Sequence, residues 1–262
     1  MTSAVFLCSC AKTEEPKPEP VEVTQIETVS TEDETDPGDS LTDIVISDND
    51  IEEDDEQDKY ADADAYFYIE PLSEEMINKI TGVSYPAADV VSDPVVVYDD
   101  LRYLHILYTD FNGETAEGEL ICNKAIAEDL KEIFRTLYDE NYQIEKVRLI
   151  DEYGGDDEAS MEDDNTSCFN YRVVEGSSSL SKHAYGRAID INPFYNPYVT
   201  GIKTGNIKIA PEGADKYADR SASFDHKIDE NDLCVKLFKE HGFTWGGDWN
   251  SVKDYQHFQK ED

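Results

Sequence analysis

The sequence predicts an α+β domain of nearly 200 residues that follows a long acidic segment. Composition changes near residue 65, where the aromatic run Tyr66, Phe67 and Tyr68 appears after a stretch almost without aromatics. Beyond that point, apolar residues recur with strand periods in some windows and helical periods in others. The dipeptide Asn112-Gly113 separates two strand patterns and is typical of a β-hairpin turn. We therefore expect a small antiparallel sheet with flanking helices.

The first half of this domain is expected to hold two helices and a hairpin. A short helix spans residues 74–80, and the hairpin strands span 101–111 and 117–122. Residues 124–140 follow as an amphipathic helix, for which Asn123 is a candidate N-cap. Its apolar face is formed by Ile126, Leu130, Ile133, Phe134 and Leu137.

The second half is expected to alternate short strands with loops and to contain one further helix. Residues 151–164 are acidic and contain glycines, so they are interpreted as a loop. The helix spans residues 229–241, capped by Asp229 and ended by Gly242. The expected strands are 147–150, 167–174, 188–191 and 255–259.

The charge of the chain excludes one class of partner. A net charge of −38 and an isoelectric point near 4.2 leave no basic patch for phosphate groups, so no nucleic acid is expected to bind. The surface would also be repelled by an anionic membrane. Any membrane association is therefore expected only through a lipid anchor.

The first ten residues contain a candidate for such an anchor. Leu7 lies three positions before Cys10, and Ser9 directly precedes it, as in the lipobox that ends a lipoprotein signal peptide. We interpret residues 1–10 as the remnant of such a peptide, with Cys10 lipidated; the alternative is an ordinary disordered N-terminus. The protein is expected to be extracytoplasmic, as a membrane-anchored lipoprotein or secreted to the cell wall.

Residues 11–64 have the composition of a disordered linker. They contain about twenty acidic residues, three lysines and a proline-rich stretch. Such a segment buries too little apolar surface to offset its ordering entropy, and its like charges extend it. We expect a tether between residues 1–10 and a domain at residues 65–262; the alternative is a solvated tail without a task.

The cysteines do not indicate a metal cluster or a disulfide framework. No Cys-x-x-Cys pair occurs, and three cysteines are scattered through the domain. At most one disulfide can form among Cys122, Cys168 and Cys234, and the sequence does not say which.

His183, Asp190 and His257 are candidate metal ligands. A hydrolytic zinc needs three protein ligands and one open position for water, and imidazole and carboxylate both suit it. A turn at Gly186 would bring the first two side chains together, and a second strand would supply the third. Asp254, three residues before the last ligand, would lie beside the metal as a proton carrier.

These residues belong to two motifs that resemble one enzyme family. His183-x-x-Gly-x-Ala-x-Asp190 followed by Asp254-x-x-His257-Phe is similar to the zinc D-alanyl-D-alanine carboxypeptidases, which include VanY-like carboxypeptidases and L-alanyl-D-glutamate endopeptidases. The segment from Trp245 to Trp249 resembles the endopeptidase-type branch. The resemblance extends over residues 148–259 and implies the fold shared by these peptidases and the Hedgehog signalling domain.

The resemblance also implies roles for individual residues. His183, Asp190 and His257 match the Zn²⁺ ligands, and Asp254 matches the catalytic acid/base. Ser181, two residues before the first ligand, matches a serine near the substrate.

The family uses an upstream arginine to stabilise charge on the scissile carbonyl. Arg172 is the first candidate for this role and Arg148 the second, and the family string around the arginine is altered here. Either side chain is alternatively a surface ion pair.

The expected function is that of a zinc metallopeptidase acting on peptidoglycan stem peptides, as a carboxypeptidase or an L,D-endopeptidase and as a monomer. The alternative is a non-catalytic zinc-binding module of the same fold that binds the cell wall or a partner. Asp254 argues against that alternative, because holding zinc requires no acid/base. The bond that is cleaved is left open.

Overall fold

The computed structural model describes residues 59–174 and 176–261. The predicted signal remnant and most of the acidic tether therefore lie outside the described residues. Lys59 forms an ion pair with Glu117 at 2.7 Å, and the hydroxyl of Tyr60 donates to the same carboxylate. Packing thus begins a few residues before the predicted boundary at residue 65. Within the described ranges, no helix has the length and apolarity needed to cross a bilayer.

The described residues form a mixed α+β structure, which confirms the predicted fold class. Its α-helices are α1 (Glu74–Ile80), α2 (Ala127–Asp139), α3 (Asp157–Glu162) and α4 (Leu233–Glu240). Its strands are β1 (Tyr68–Pro71), β2 (Leu101–Thr109), β3 (Thr115–Asn123), β4 (Lys146–Val147), β5 (Asn165–Thr166), β6 (Ala188–Asp190), β7 (Tyr198–Thr200), β8 (Lys208–Ala210), β9 (Thr244–Trp245), β10 (Lys253–Asp254) and β11 (His257–Gln259).

The strands form several small sheets rather than one. Three antiparallel sheets have the orders β1-β2-β3, β10-β7-β8 and β6-β11-β9, and β4 pairs with β5 in parallel. The hairpin of β2 and β3 is formed as predicted, and its turn is fixed by Asp110, whose Oδ1 accepts from the backbone N–H groups of Asn112 and Glu114. The last two antiparallel sheets contribute residues to the candidate site described below.

Helix α2 packs its predicted apolar face against β2 and forms much of the core. Leu130, Ile133, Phe134 and Leu137 are all buried there. The helix begins at Ala127, with Ile126 at the N-cap position and no capping side chain. Asn123, the expected cap, instead accepts from the N–H of Ala125. The acidic first turn of α2 partly substitutes for a cap, because negative charge is favourable at a helix N-terminus.

The prediction of an acidic loop at residues 151–164 is wrong in part, because this segment contains helix α3. Asp156 caps this helix by accepting from the N–H of Ala159 at 3.2 Å, and Asp157 and Glu158 occupy its first turn. Acidic residues in this position favour a helix, so the composition that suggested a loop is also that of a capped N-terminus. A short 3₁₀ helix, Ile150–Tyr153, precedes it where the sequence predicted the end of a strand.

Two further boundaries differ from the prediction. Helix α4 begins later than expected, because Asp232, not Asp229, caps it by accepting from the N–H of Cys234 at 2.7 Å. No regular strand forms at residues 167–174: strand β5 lies just before this range, and within it there are isolated bridges of Ser167 with Asp190 and of Val173 with Leu180. The three cysteines within the described ranges, Cys122, Cys168 and Cys234, are buried and free, so none of them forms a disulfide.

Asp164 has a buried carboxyl group that binds the backbone of the segment after β6. Its Oδ1 accepts from the N–H of Phe194 at 2.7 Å, whereas its Oδ2 is sealed from solvent and has no partner among the described groups. Burial raises the pKa of this carboxyl from 3.8 to about 7. The folded protein therefore favours the protonated form, and ionisation above pH 7 destabilises it.

We expect the variant Asp164→Asn to lose part of the pH dependence of folding. In the wild type, this group contributes stability at low pH that is lost as the pH rises from about 4 through 7, by up to about 4 kcal/mol. Asparagine keeps the acceptor and tolerates the positive φ of 53°. Urea unfolding at pH 5 and pH 8 measures the difference. The exposed Asp89→Asn removes the same charge as a control, and equal pH profiles for both variants would refute the expectation.

Candidate active site

Strand pairing brings two of the predicted ligands face to face. β11 runs antiparallel to β6, and its register places His257 directly opposite Asp190. His183 comes from a 3₁₀ helix, Lys182–Tyr185, which ends at Gly186 in the left-handed conformation with φ of 64°. A Cβ at Gly186 would lie 2.8 Å from the backbone N of Asn123. Glycine is thus required here by both backbone conformation and space, and the turn returns the chain to β6.

The three side chains meet at one point. Nε2 of His183 lies 3.1 Å from Oδ2 of Asp190, and Nδ1 of His257 lies 2.9 Å from Oδ1 of Asp190. The two imidazole nitrogens are 3.2 Å apart. A tetrahedral zinc with bonds of about 2.0–2.1 Å separates its ligand atoms by about 3.3 Å. The observed spacing is close to this value, so the group fits a metal ion of that size.

A backbone contact of His183 fixes a proton on one nitrogen of its ring. Nδ1 lies 2.6 Å from the carbonyl oxygen of Cys168, which only accepts, so Nδ1 carries the proton. In the neutral form of the ring, which a metal ligand must take, the lone pair is therefore on Nε2, the nitrogen that faces Asp190 and His257. Ligating histidines are commonly held in this way by a second partner.

The charges of the three residues are strongly linked. Burial alone would raise the pKa of Asp190, but the charge of His183 and hydrogen bonds from both imidazoles hold it well below its usual range. Burial alone would lower the pKa of His257, whereas Asp190 raises it to about 9. The carboxylate therefore stays ionised, as a metal ligand must.

The three side chains lie in the wall of a cavity of about 510 Å³. Helix α3, strands β7 and β8 and the segment that follows Arg172 form its other walls. The apolar part of the lining consists of Met161, Val173, Val174, Leu180, Tyr198, Ala210 and Trp249. A cavity of this size with apolar walls and a few convergent polar groups is typical of a small-molecule or peptide site.

Asp254 lies in the same cavity, on β10 opposite Tyr198. Its Oδ1 is sealed from solvent and has no hydrogen-bond partner in the described part of the chain. Burial raises the pKa of Asp254 to about 7. The charge of His257 lowers this pKa, and the charge of Asp190 raises it. A carboxyl group whose pKa is close to neutrality suits both accepting and returning a proton.

The two glycines between the tryptophans explain how Asp254 reaches this position. A Cβ at Gly246 would lie 2.5 Å from the carbonyl oxygen of Asp254 and 2.7 Å from its Cβ. A Cβ at Gly247 would lie 2.3 Å from the ring of Trp245, which is buried in the core and donates its indole N–H to the carbonyl of Tyr255 at 2.9 Å. The backbone thus packs directly against the candidate acid/base residue.

The two candidate arginines lie in different surroundings. Arg172 lines the cavity and forms an ion pair with Asp157 at 2.7 Å, and its Nε has no partner among the described groups. Arg148 lies outside the cavity, with 53% of its side chain exposed, and pairs with Glu152 at 3.7 Å. Ser181 lines the cavity, but its hydroxyl also caps the 3₁₀ helix by accepting from the N–H of His183 at 3.3 Å.

Sequence reasoning did not identify Asp157 or Gln259, which both line the cavity. Asp157 is the first residue of α3, in the segment interpreted as a loop, so its position beside Arg172 had no sequence signal. Gln259 lies at the end of the last strand, two residues after a ligand, and that spacing is the only available signal. The three other histidines, His105, His226 and His241, lie outside the cavity.

The buried His–Asp–His group could hold a metal ion, and it lines the same cavity as the carboxyl group of Asp254. Residues 175–260, about a third of the chain, match the family model described as D-alanyl-D-alanine carboxypeptidase. This match confirms the predicted resemblance and supports a peptidase acting on peptidoglycan peptides. No solved structure is significantly similar to the chain.

Proposed function

We propose that the protein is a zinc-dependent peptidase that hydrolyses peptidoglycan stem peptides at a bond involving a D-residue. The observation that carries the proposal is the meeting of His183, Asp190 and His257 at tetrahedral spacing in a cavity that also contains Asp254. The family match over the same residues supports the peptide substrate. Cleavage is of the carboxypeptidase or the L,D-endopeptidase type.

Each polar residue of the cavity has a proposed task. Zinc held by the three ligands would act as a Lewis acid and lower the pKa of a water molecule. Asp254 accepts the proton of the attacking water and returns it to the leaving amine. Arg172 donates to the oxygen that becomes negatively charged, and Ser181 contacts the substrate beside the first ligand.

The location of the protein is part of the proposal. An extracytoplasmic domain tethered through a lipid at Cys10 would reach wall peptides while its acidic surface is kept away from the anionic membrane. The sequence of residues 1–64 supports this arrangement, and these residues lie almost entirely outside the described part. Radiolabelled palmitate incorporation, compared between the wild type and Cys10→Ala, tests it.

We expect hydrolysis of purified muropeptides to depend on one zinc ion per chain. Removal of the metal with a chelator should abolish product formation, and one equivalent of Zn²⁺ should restore it, because the proposed site has only three protein ligands and an open position. Mass spectrometry of the products from defined muropeptides measures activity and also identifies the bond cleaved.

Magnesium added to the metal-free protein is the control and should not restore activity, because it prefers oxygen ligands and octahedral geometry. Stoichiometric zinc binding without turnover on any stem peptide would instead indicate a non-catalytic zinc-binding module. Full activity in the metal-free protein would refute the proposal.

A further inference from the structure

The imidazole of His257 has partners on both of its nitrogens. Nδ1 faces Asp190 and His183, whereas Nε2 lies 3.1 Å from Oε1 of Gln259. An amide oxygen accepts and does not donate, so Nε2 must carry the proton. In the neutral form, which a metal-binding imidazole must take, Nδ1 then keeps a lone pair directed to the centre of the three candidate ligands.

The orientation of the Gln259 amide is itself fixed. Its Nε2 donates to Oε1 of Glu261 at 3.2 Å, and a carboxylate only accepts. A rotation of the amide by 180° would place its oxygen against that carboxylate and its N–H₂ against the N–H of His257. Both contacts would then be repulsive, so the oxygen faces His257.

These contacts continue to the segment that carries the first ligand. Glu261 also accepts from Nζ of Lys182, the residue next to His183. We call Lys182, Glu261, Gln259 and His257 the outer chain. It links the 3₁₀ helix of one ligand to the strand of another through the last described residues of the protein.

We propose that Gln259 is a positioning residue for the metal: it fixes the tautomer and the ring orientation of His257, and through them the affinity for zinc. The inference rests on the proposed zinc site. Histidines that bind metals usually donate their second N–H to a carboxylate, carbonyl or water, and loss of that partner typically weakens metal binding about 10–100-fold. In this chain a side-chain amide takes that place.

Lys182 and Glu261, the rest of the outer chain, should affect the zinc affinity less than Gln259 does. The side chains of Lys182 and Glu261 are 35% and 63% exposed, and exposed ion pairs contribute little. Removing their pair leaves Gln259 free to turn but keeps its oxygen available. Glu261→Gln or Lys182→Met should therefore weaken zinc binding less than about threefold, a far smaller loss than that from removing the amide.

The test compares the zinc affinity of full-length variants by competition with a chromophoric chelator at pH 7. Gln259→Leu removes the acceptor at nearly the same volume and should bind zinc about 10–100-fold more weakly. Gln259→Glu keeps an acceptor and should bind at least as tightly as the wild type. Gln143→Leu is the matched control, because that amide contacts the carbonyl of Phe111 outside the cavity, and its affinity should not change.

Imidazole ¹⁵N spectra of the zinc-loaded proteins give a second readout that a purely structural role would not alter. The wild type and Gln259→Glu should show His257 protonated at Nε2, whereas the Gln259→Leu spectrum should lose the hydrogen-bonded N–H signal. If Gln259→Leu does not fold, Gln259→Glu still tests the inference. Zinc binding by Gln259→Glu that is weaker than that of the wild type would overturn it.

Failure of this inference and failure of the proposed function give different results. A wild type that binds no zinc contradicts the function itself. A wild type that binds zinc, together with a Gln259→Leu variant within twofold of it, leaves the function intact and overturns only the role of Gln259.

Discussion

Replacement of Asp254 by asparagine is expected to lower kcat for stem-peptide hydrolysis by about 10²–10⁴-fold, the usual contribution of a general acid/base. Asparagine has nearly the same shape and cannot carry the proton from the attacking water to the leaving amine. Asp254 is not one of the three ligands that meet at the candidate metal position. Zinc content, measured by mass spectrometry, should therefore remain at the wild-type value.

Asp248→Asn is the matched control for this variant. Asp248 lies in the same glycine-containing segment, is exposed and pairs with Lys239 at 2.8 Å outside the cavity. Its activity should equal that of the wild type. Retention of wild-type kcat by Asp254→Asn, with zinc bound, would remove Asp254 from the proposed mechanism.

Replacement of Arg172 by methionine is expected to lower kcat by about 10²–10³-fold, the cost of losing one donor to a developing oxyanion. Arg172 is the arginine that lines the cavity, and its unpartnered Nε–H is a donor that no described group uses. Methionine keeps much of the side-chain volume. Steady-state kinetics on a muropeptide that the wild type cleaves measure the effect.

Two further variants separate this role from a general effect of charge. Arg148→Met removes the same charge from an exposed position outside the cavity and should have wild-type activity. Asp157→Asn weakens the ion pair that holds Arg172 and should reduce kcat by less than the loss of Arg172 itself. Equal losses in Arg148→Met and Arg172→Met would show that net charge, and not the placed guanidinium, matters.

The three candidate ligands could be identified from the sequence because residue type and spacing within short segments indicate them, and the structure brings them together. His183 and Asp190 are separated by one turn, whose conformation only glycine adopts easily, and that turn is visible in the sequence as Gly186. The sequence signal for the hairpin of β2 and β3 was equally local, since its Asn-Gly turn lies between two apolar strands. In these cases a few adjacent residues contain the whole structural signal.

The starts of α2 and α4 were not predicted accurately, and α3 was not predicted, because acidic or amide residues near each start were possible caps. Asp229 and Asp232 are equivalent as sequence signals, and packing of the helix decides between them. Asp156 and Asp157 lie in a run of acidic residues whose composition is typical of a loop. Only contacts with distant segments, such as that of Asp157 with Arg172, distinguish a helix there.

The sequence by itself determined the fold class, the three candidate ligands, the acid/base candidate and the family resemblance, because each depends on local pattern and residue chemistry. The tertiary structure placed Arg172, and not Arg148, in the wall of the cavity, paired Asp157 with Arg172 and brought Gln259 to His257. These outcomes depend on which segments pack side by side around one cavity. Such long-range packing has no local signal, so the residues that hold and orient the site became visible only in the folded chain.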